Sequence, residues 1–349
     1  MKRKLKEKIV LKHCMRIITI IICISSLLVL SDPYNVTDES AENILSPTTE
    51  APLTGAVNQS EFHCEPELQV TTTESLSTVA ATAFSDRTLN ISAPFAGLYN
   101  ASTGEALYEK DSDKRIHPAS LTKILTAITA LTYMNTDTVI TVGTELNLLP
   151  KRSSLCLIKS GHRLTLYDLL TGMLVASGND AAYTIAVNTA RHVMNEDSIS
   201  DKEAISYFTD LMNSVAKAIG CTDSNFTTPD GFDSEGQYTT IKDLSLICSY
   251  ALKFKEIREI VSTVNKKVIF KSGENVTWSN SNKLLHPDSP YYYSEATGMK
   301  TGTTPLAGKC LIATAEFDGQ TFVAIVANCE SENERYSSVI KLFESFSSK

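Results

Sequence analysis

The stretch that decides the fold reads His117-Pro-Ala-Ser-Leu-Thr-Lys-Ile-Leu-Thr-Ala-Ile-Thr-Ala-Leu131. From Ala119 onward apolar residues lie on nearly every side, which predicts a helix buried at the centre of a domain. Pro118 favours a helix start, and the amides of a first helical turn have no partner within the helix. We therefore expect the N–H of Ser120 to be free to face a ligand oxygen.

The same stretch places a hydroxyl and an amine three residues apart, at Ser120 and Lys123. On a helix this spacing brings both groups to one face. The spacing alone is weak evidence, because Ser214–Lys217 and Ser338–Lys341 repeat it. Only Ser120 and Lys123 lie in an apolar segment, where an isolated lysine charge is costly and its pKa falls.

The chain on either side of this helix predicts a mixed fold. Ala93–Asn100 and Glu105–Lys110 flank a glycine-containing turn and predict a β-hairpin. Further helices are predicted at Leu166–Leu174, Ala181–Met194, Glu203–Ile219, Ile241–Leu252 and Glu334–Phe346, and strands at Lys267–Phe270, Cys310–Glu316 and Thr321–Asn328. Strands at both ends around a helical middle indicate an α/β (α+β) domain, in which an antiparallel sheet is closed by its terminal strands and carries an inserted helical subdomain.

The N-terminal region is expected to direct export. Seven of the 32 Lys and Arg residues lie in Met1–Arg16, before the aliphatic run Ile17–Leu30. This pattern predicts a signal peptide or an uncleaved membrane anchor over residues 1–31. Residues 32–87, rich in Ser and Thr, are expected to form a disordered linker, and residues 88–349 the folded domain. The protein is expected at the outer face of the cytoplasmic membrane or in the cell wall.

Charge, cysteine and histidine content exclude several classes of function. One acid among those first 16 residues leaves a net charge of −14 for the rest, so no nucleic acid partner is expected. The six histidines show no ligand spacing, so no metal or other cofactor is expected. An odd number of cysteines, without paired spacing, falls in the folded domain, so most are expected to be small buried residues.

Two further motifs follow the Ser120–Lys123 pair along the chain. They are Ser177-Gly-Asn179 and Lys300-Thr-Gly302. Each tripeptide also occurs elsewhere, as Ser331-Glu-Asn333 and, in related form, as Lys159-Ser-Gly161 and Lys271-Ser-Gly273, where capping turns and loop turns explain them. The ordered set of three is typical of penicillin-binding proteins and class A β-lactamases.

From about Ile91 to Phe346 the chain resembles the D-Ala-D-Ala carboxypeptidase family of low-molecular-weight penicillin-binding proteins. The resemblance rests on His117–Lys123, Gly161–Leu170, Ser177–Ala181, Met212–Asn213, Asn280–Leu285 and Gly298–Thr304. It implies the serine β-lactamase and DD-peptidase fold, with a five-stranded antiparallel sheet flanked by helices. It also implies hydrolysis of peptidoglycan stem peptides ending in D-Ala-D-Ala, and covalent inhibition by β-lactam antibiotics.

The resemblance implies a role for each site residue. Ser120 is the nucleophile and Lys123 its base, with Lys300 as the like charge that lowers the pKa of Lys123. Ser177 and Asn179 relay the proton and hold substrate. The backbone N–H groups of Ser120 and Thr303 form the oxyanion hole. The terminal carboxylate of the substrate binds to the segment formed by Lys300, Thr301 and Gly302 and to Arg335.

Two departures from the family accompany these matches. Gly236-Gln-Tyr-Thr-Thr240 replaces the family's Gly-His-Tyr-Ser-Thr and is expected to alter a helix start without changing the chemistry. The sequence ends at Lys349, without the C-terminal β-domain and amphipathic anchor of many relatives. Membrane attachment is therefore expected through residues 17–30.

Three other functions remain open on the sequence. A class A β-lactamase needs a carboxylate that activates water, and no acid between Asp180 and Gly220 has the Glu-x-x-x-Asn setting of that family. A penicillin-sensing domain would be acylated without turnover, so release of D-alanine separates it from an enzyme. A DD-endopeptidase, which cuts cross-linked peptides, is a nearer relative, and the sequence leaves this function open.

Overall fold

The computed structural model describes residues 89–347, and its centre is one antiparallel sheet. The spatial order of its five strands is β2-β1-β9-β8-β7. The strands are β1 (Phe95–Asn100), β2 (Ala106–Lys110), β7 (Ala296–Thr304), β8 (Gly308–Phe317) and β9 (Gln320–Cys329). Because β1 pairs with β9, the two ends of the domain close the sheet, as predicted.

Both faces of the sheet are covered, which explains why β8 and β9 are almost continuously buried. On one face, Leu98, Leu311 and Ala324 pack against Tyr336 and Phe343 of α7 (Glu332–Ser347). The other face contacts α5 (Ile241–Ala251). Sequence periodicity predicts both helices to within about two residues at each end.

The helical subdomain is inserted between β2 and β7, as expected. Its helices are α1 (Thr122–Tyr133), α2 (Leu166–Val175), α3 (Asn179–Met194), α4 (Asp201–Ile219), α5, and α6 (Lys255–Val261). Two small hairpins accompany them, β3 (Val139–Thr141) with β4 (Arg163–Thr165) and β5 (Asn265–Ile269) with β6 (Asn275–Ser279). The first nine residues of α1 are all buried, which confirms the predicted central helix.

Capping explains where two helices begin. The Ser200 side chain accepts from the Glu203 N–H and the Glu203 carboxylate accepts from the Ser200 N–H, so α4 begins before the predicted Glu203. Thr165 and Asp168 form the same reciprocal box at α2. The α3 helix also begins earlier than predicted, at Asn179, because Gly178 is its N-cap.

The residue pattern did not predict β7, although this strand carries a motif, and it also did not predict the short strands β3, β4 and β6. Lys300 lies inside β7. The strand sequence Ala-Thr-Gly-Met-Lys-Thr-Gly-Thr-Thr contains two glycines, which weaken a strand signal. Pairing with β8 over most of its length holds β7 in place instead.

The described residues test the prediction for the cysteines but not the prediction for the N-terminal region. The five cysteines within residues 89–347 are free thiols, and four of them are buried, as expected. Within the same range no helix is both long and apolar enough to cross a bilayer, and no group of three or more His, Cys, Asp or Glu side chains has a metal-binding arrangement. The predicted export segment and linker lie outside the described residues.

Candidate active site

Ser120 and Lys123 lie next to each other at the start of α1. Ser120 belongs to a 3-10 turn, Ala119–Leu121, that leads into the helix. The Lys123 Nζ donates to Ser120 Oγ at 3.0 Å, and the lysine side chain is completely buried. The sequence therefore predicted correctly that the two groups share one face, although it did not predict the 3-10 turn.

The second motif is the connection between α2 and α3. Asn179 Oδ1 accepts a hydrogen bond from Lys123 Nζ at 2.8 Å, and the Asn179 N–H donates to the Ser154 carbonyl at 2.8 Å. Glycine is required between Ser177 and Asn179, because a Cβ on Gly178 would lie 2.7 Å from the Cys156 sulfur. This turn thus fixes the Asn179 amide against the lysine.

The third motif lies on β7, which is an edge strand of the sheet. The Lys300 side chain is buried, and its Nζ donates to the Thr301 carbonyl at 3.0 Å. A Cβ on Gly302 would lie 3.0 Å from the Ala119 Cβ, so the strand passes directly beside the turn that carries Ser120. The three motifs therefore meet in one place.

Each motif contains or adjoins a non-glycine residue with a left-handed backbone. The φ angles are 49° at Ala119, 60° at Ser177 and 81° at Met299. Such residues cost of order 1–3 kcal/mol each and concentrate at functional sites. Three of the nine non-glycine residues with positive φ within residues 89–347 thus lie at the sequence motifs.

Arg335 lies at the beginning of α7 beside this group. Its Nη1 is 3.5 Å from Thr303 Oγ1, and its guanidinium carbon is 4.7 Å from the centre of the Tyr336 ring. The Nε atom is buried and makes no hydrogen bond within residues 89–347. The contact from Nη1 to Thr303 is long at 3.5 Å, so the terminal nitrogens of the guanidinium retain donors for an anionic ligand.

The two buried lysines have lowered pKa values. Burial lowers the pKa of Lys123 to about 8, against the opposing pull of the Asp230 and Asp180 carboxylates. Burial, followed by the positive charges of Lys123 and Arg335, holds the pKa of Lys300 well below its usual range. The predicted like-charge effect thus lowers the pKa of Lys300, whereas burial lowers that of Lys123.

Sequence reasoning missed one direct hydrogen-bond partner of Lys123. The Asp230 carbonyl accepts from Lys123 Nζ at 2.9 Å. A backbone carbonyl carries no residue-specific signal, and Pro229-Asp-Gly231 indicated nothing beyond a turn. Ser281, inside the quoted Asn280–Leu285 segment, hydrogen-bonds the Thr301 hydroxyl at 2.7 Å and was also not singled out.

The repeated copies of the motifs lie elsewhere and have structural partners. Ser338 Oγ lies 3.0 Å from Ser92 Oγ, and Ser331 Oγ caps α7 by accepting from the Glu334 N–H. Gly161 and Gly273 have positive φ in turns, as the sequence predicted.

Comparison with known proteins places these motifs in a family. Residues 80–331 match the family described as D-alanyl-D-alanine carboxypeptidase. A curated D-alanyl-D-alanine carboxypeptidase of Streptomyces sp. strain K15 is 32% identical over 253 residues, which cover 70% of this chain and 83% of the relative. The carboxypeptidase DacF of Bacillus subtilis is 28% identical over 71% of this chain. The chain spans about three fifths of the length of DacF, and 58% of DacC of Escherichia coli.

Solved structures give the same fold. The crystal structure of the Streptomyces DD-transpeptidase superposes with a TM-score of 0.67 at 30% identity, covering 73% of this chain and 97% of that one. Penicillin-binding protein D2 of Listeria monocytogenes, solved with ampicillin bound, superposes with a TM-score of 0.60 at 28% identity and covers 74% of this chain and 98% of that one. The expected DD-peptidase fold is therefore confirmed.

Proposed function

Since the chain belongs to the D-alanyl-D-alanine carboxypeptidase family, we propose that it removes the terminal D-alanine from peptidoglycan stem peptides ending in D-Ala-D-Ala. The observation that carries this proposal is the 3.0 Å contact between the buried Lys123 Nζ and Ser120 Oγ. Serine is a weak nucleophile, so attack on an amide carbonyl needs an adjacent base. A lysine with a pKa of about 8 is neutral often enough to serve.

The hydrogen bonds of Lys123 suit a neutral amine that accepts the serine proton. A neutral amine has two N–H donors and one lone pair. Asn179 Oδ1 and the Asp230 carbonyl only accept, so they take the two N–H groups. Ser120 Oγ is the one partner that can also donate, and the lone pair therefore points to its hydroxyl.

The reaction then proceeds through an acyl-enzyme. Ser120 Oγ attacks the carbonyl carbon of the penultimate D-alanine while its proton passes to Lys123. Lys123, with Ser177 as relay, returns that proton to the leaving amine, the C–N bond breaks, and D-alanine departs. Water then cleaves the ester on Ser120, which releases the shortened peptide and restores the hydroxyl.

The developing oxyanion needs fixed donors, and two backbone amides are proposed for that role. The first is the N–H of Ser120, next to Gly302 on β7. The second is the N–H of Thr303. The Thr301 carbonyl accepts from Lys300 Nζ, which supports a carbonyl that points away from β8. Residues two apart on a strand point their backbone N–H and C=O groups to the same side. The N–H of Thr303 is therefore expected to point away from β8, at the open edge of the sheet.

Cationic groups next to this hole suit the terminal carboxylate of the substrate. We assign its binding to Lys300, the Thr301 hydroxyl and Arg335, whose planar fork matches a carboxylate. A terminal D-alanine carboxylate thereby determines where the scissile bond lies. The same groups would hold the carboxylate of a β-lactam, and covalent inhibition at Ser120 is part of the proposal.

The proposed place of action is outside the cytoplasmic membrane. The basic start and the aliphatic run Ile17–Leu30 support export, with attachment through residues 17–30 if the segment is retained. Peptidoglycan stem peptides are found there.

One assay tests the activity. The full-length protein is incubated with a peptide ending in D-Ala-D-Ala, with and without penicillin, and free D-alanine is measured, with Ser120→Ala as control. Release that stops with penicillin or in the variant is expected. A labelled penicillin should bond to Ser120, and labelling at another residue would refute the mechanism. Labelling without D-alanine release would identify a sensor, whereas rapid turnover of the antibiotic would identify a β-lactamase.

Transpeptidation is a second candidate. The Streptomyces relative that superposes with a TM-score of 0.67 is described as a DD-transpeptidase. An acyl-enzyme on Ser120 could react with an amine instead of water. Adding a D-amino acid acceptor to the same assay measures the share of transferred product, and an endopeptidase would instead cut a cross-linked dimer.

A further inference from the structure

Asp230, whose backbone carbonyl accepts from Lys123 Nζ at 2.9 Å, also has a buried carboxylate that takes no part in the mechanism above. Asp230 is 1% exposed. Its Oδ1 accepts from the Phe232 N–H at 3.0 Å, whereas Oδ2 is buried and makes no hydrogen bond within residues 89–347. Buried carboxylates are costly unless they are paired or hydrogen-bonded. The fold retains this one at the reaction centre.

The turn that carries Asp230 is held on both sides against α1. The Thr126 hydroxyl donates to the Pro229 carbonyl at 2.6 Å, one turn beyond Lys123. On the other side Gly231, with φ of 82°, lies so close that a Cβ would be 1.8 Å from the Ala119 carbonyl oxygen. The backbone of Asp230 is therefore fixed between α1 and the turn that carries Ser120.

The lysine amine is surrounded by ionisable groups from four parts of the chain. They are Asp180 on α3, Asp230 on its turn, Cys156 on the loop before α2, and Lys300 on β7. Asp180 is neutralised in part by N–H donors from Cys156, Ile158 and Ala181. Asp230 receives a single backbone N–H, so more of its negative charge is left to act on the lysine.

We propose that Asp230 is a positioning residue of the reaction, whose buried charge favours the protonated form of Lys123 and so keeps Ser120's proton on the amine until the leaving group takes it. This inference rests on the proposed function. The Asp230 carbonyl orients Lys123 Nζ, and the Asp230 carboxylate stabilises the ammonium that forms on Lys123 as Ser120 attacks. The charge of Asp230 therefore makes Lys123 a stronger base, and the same effect lowers the fraction of Lys123 that is neutral near pH 7.

A role as the base that activates the deacylating water does not fit the same carboxylate. Its free oxygen, Oδ2, is buried rather than open to solvent. A general base must lie within hydrogen-bond reach of the water that it activates. The carboxylate thus acts on Lys123 through its charge.

The test compares the pH dependence of acylation in full-length wild type and Asp230→Asn. The rate constant for bonding of a fluorescent penicillin is measured from pH 5.5 to 10. In wild type it should rise with pH to a midpoint near 8, where Lys123 loses its proton. Asparagine keeps the shape and the bond to Phe232 but removes the charge, so the midpoint should fall by roughly one unit and acylation at pH 7 should increase up to about fivefold.

Control variants separate charge from structure. Glu145→Gln neutralises another fully buried acid that also has one unpartnered oxygen. The Glu145 carboxylate accepts from the Thr184 hydroxyl and makes no hydrogen bond to Lys123. This variant should therefore leave the midpoint of acylation unchanged. Asp230→Glu keeps the charge and should stay near the wild-type midpoint. If Asp230→Asn does not fold, Asp230→Ser gives a second neutral side chain that is compatible with a turn.

Two results would overturn the inference. One is a lower acylation rate at every pH with an unmoved midpoint, which would leave Asp230 only a structural role. The other is an unmoved midpoint with accumulation of acyl-enzyme, which would make Asp230 the deacylation base. Neither depends on the proposed function, which fails instead if wild type neither bonds penicillin nor releases D-alanine.

Discussion

Gly302 on β7 lies so close to Ser120 that a Cβ on the glycine would be 3.2 Å from the Ser120 amide nitrogen. This approach brings the sheet edge to the turn that carries Ser120, and a side chain at residue 302 would press against that turn.

Gly302→Ala should therefore reduce acylation more than it reduces stability. The methyl group would push the Ser120 turn away from the strand, and misplacement of a reacting group by about 1 Å can cost about 100-fold in rate. We expect a loss of at least about tenfold in the rate of penicillin bonding. Gly273→Ala, which strains a turn of the β5–β6 hairpin, should lower the melting temperature and leave that rate unchanged. Equal rates for Gly302→Ala and wild type would contradict the close approach.

Lys123→Arg should abolish the base while it keeps a positive charge. Arginine is not deprotonated in proteins, and general bases contribute about 10²–10⁴-fold to the rate. We expect a loss in that range, measured as acylation of Ser120 by mass spectrometry. The matched control is Lys217→Arg in the exposed Ser214–Lys217 pair, which should behave as wild type. Acylation that survives Lys123→Arg undiminished would eliminate the lysine as base.

Arg335→Ala should affect substrates according to their terminal group. With a free terminal carboxylate, loss of the guanidinium should raise KM by about tenfold or more, since a charge-assisted pair is worth roughly 1.5–3 kcal/mol. With an amidated terminus the change should be small. Steady-state kinetics on both peptides decide the point. The exposed Arg115→Ala is the control, and equal losses on both substrates would remove the carboxylate role.

Ser200→Ala should lower stability without affecting the reaction. The variant loses the reciprocal cap of α4, and removal of such a cap costs about 1 kcal/mol. For a domain of this size the melting temperature should fall by about 2–4 °C. The rate of D-alanine release per folded molecule should not change. A fall in that rate would mean that α4 influences the site through α3.

The residues whose roles depend on spacing along one element were predictable. Ser120 and Lys123 share a helix face because side chains three residues apart do so, and the apolar surroundings in the sequence indicated that the amine is buried. The long amphipathic helices were predictable for a similar reason, since their burial follows the helical period. The strands β8 and β9 were predictable as short continuous apolar runs, which fits their nearly continuous burial.

What was missed depends on contacts across the fold or on backbone strain. The β7 strand is stabilised by its pairing with β8 rather than by its own residues. Asp230 reaches Lys123 through a carbonyl, which any residue could supply. The positive φ angles at Ala119, Ser177 and Met299 are imposed by surrounding packing, and none of these residue types favours that conformation.

The pairing of β1 with β9 also has a consequence for biosynthesis. Ala96 pairs with Val326, so the first strand meets this neighbour only after about 230 further residues have been made. Until then the β1–β2 hairpin stands alone, and an isolated hairpin is marginally stable in water. The edge strand that carries Lys300 is likewise supported by β8 and β9. A nascent chain therefore cannot complete the sheet that supports the proposed site before β9 leaves the ribosome.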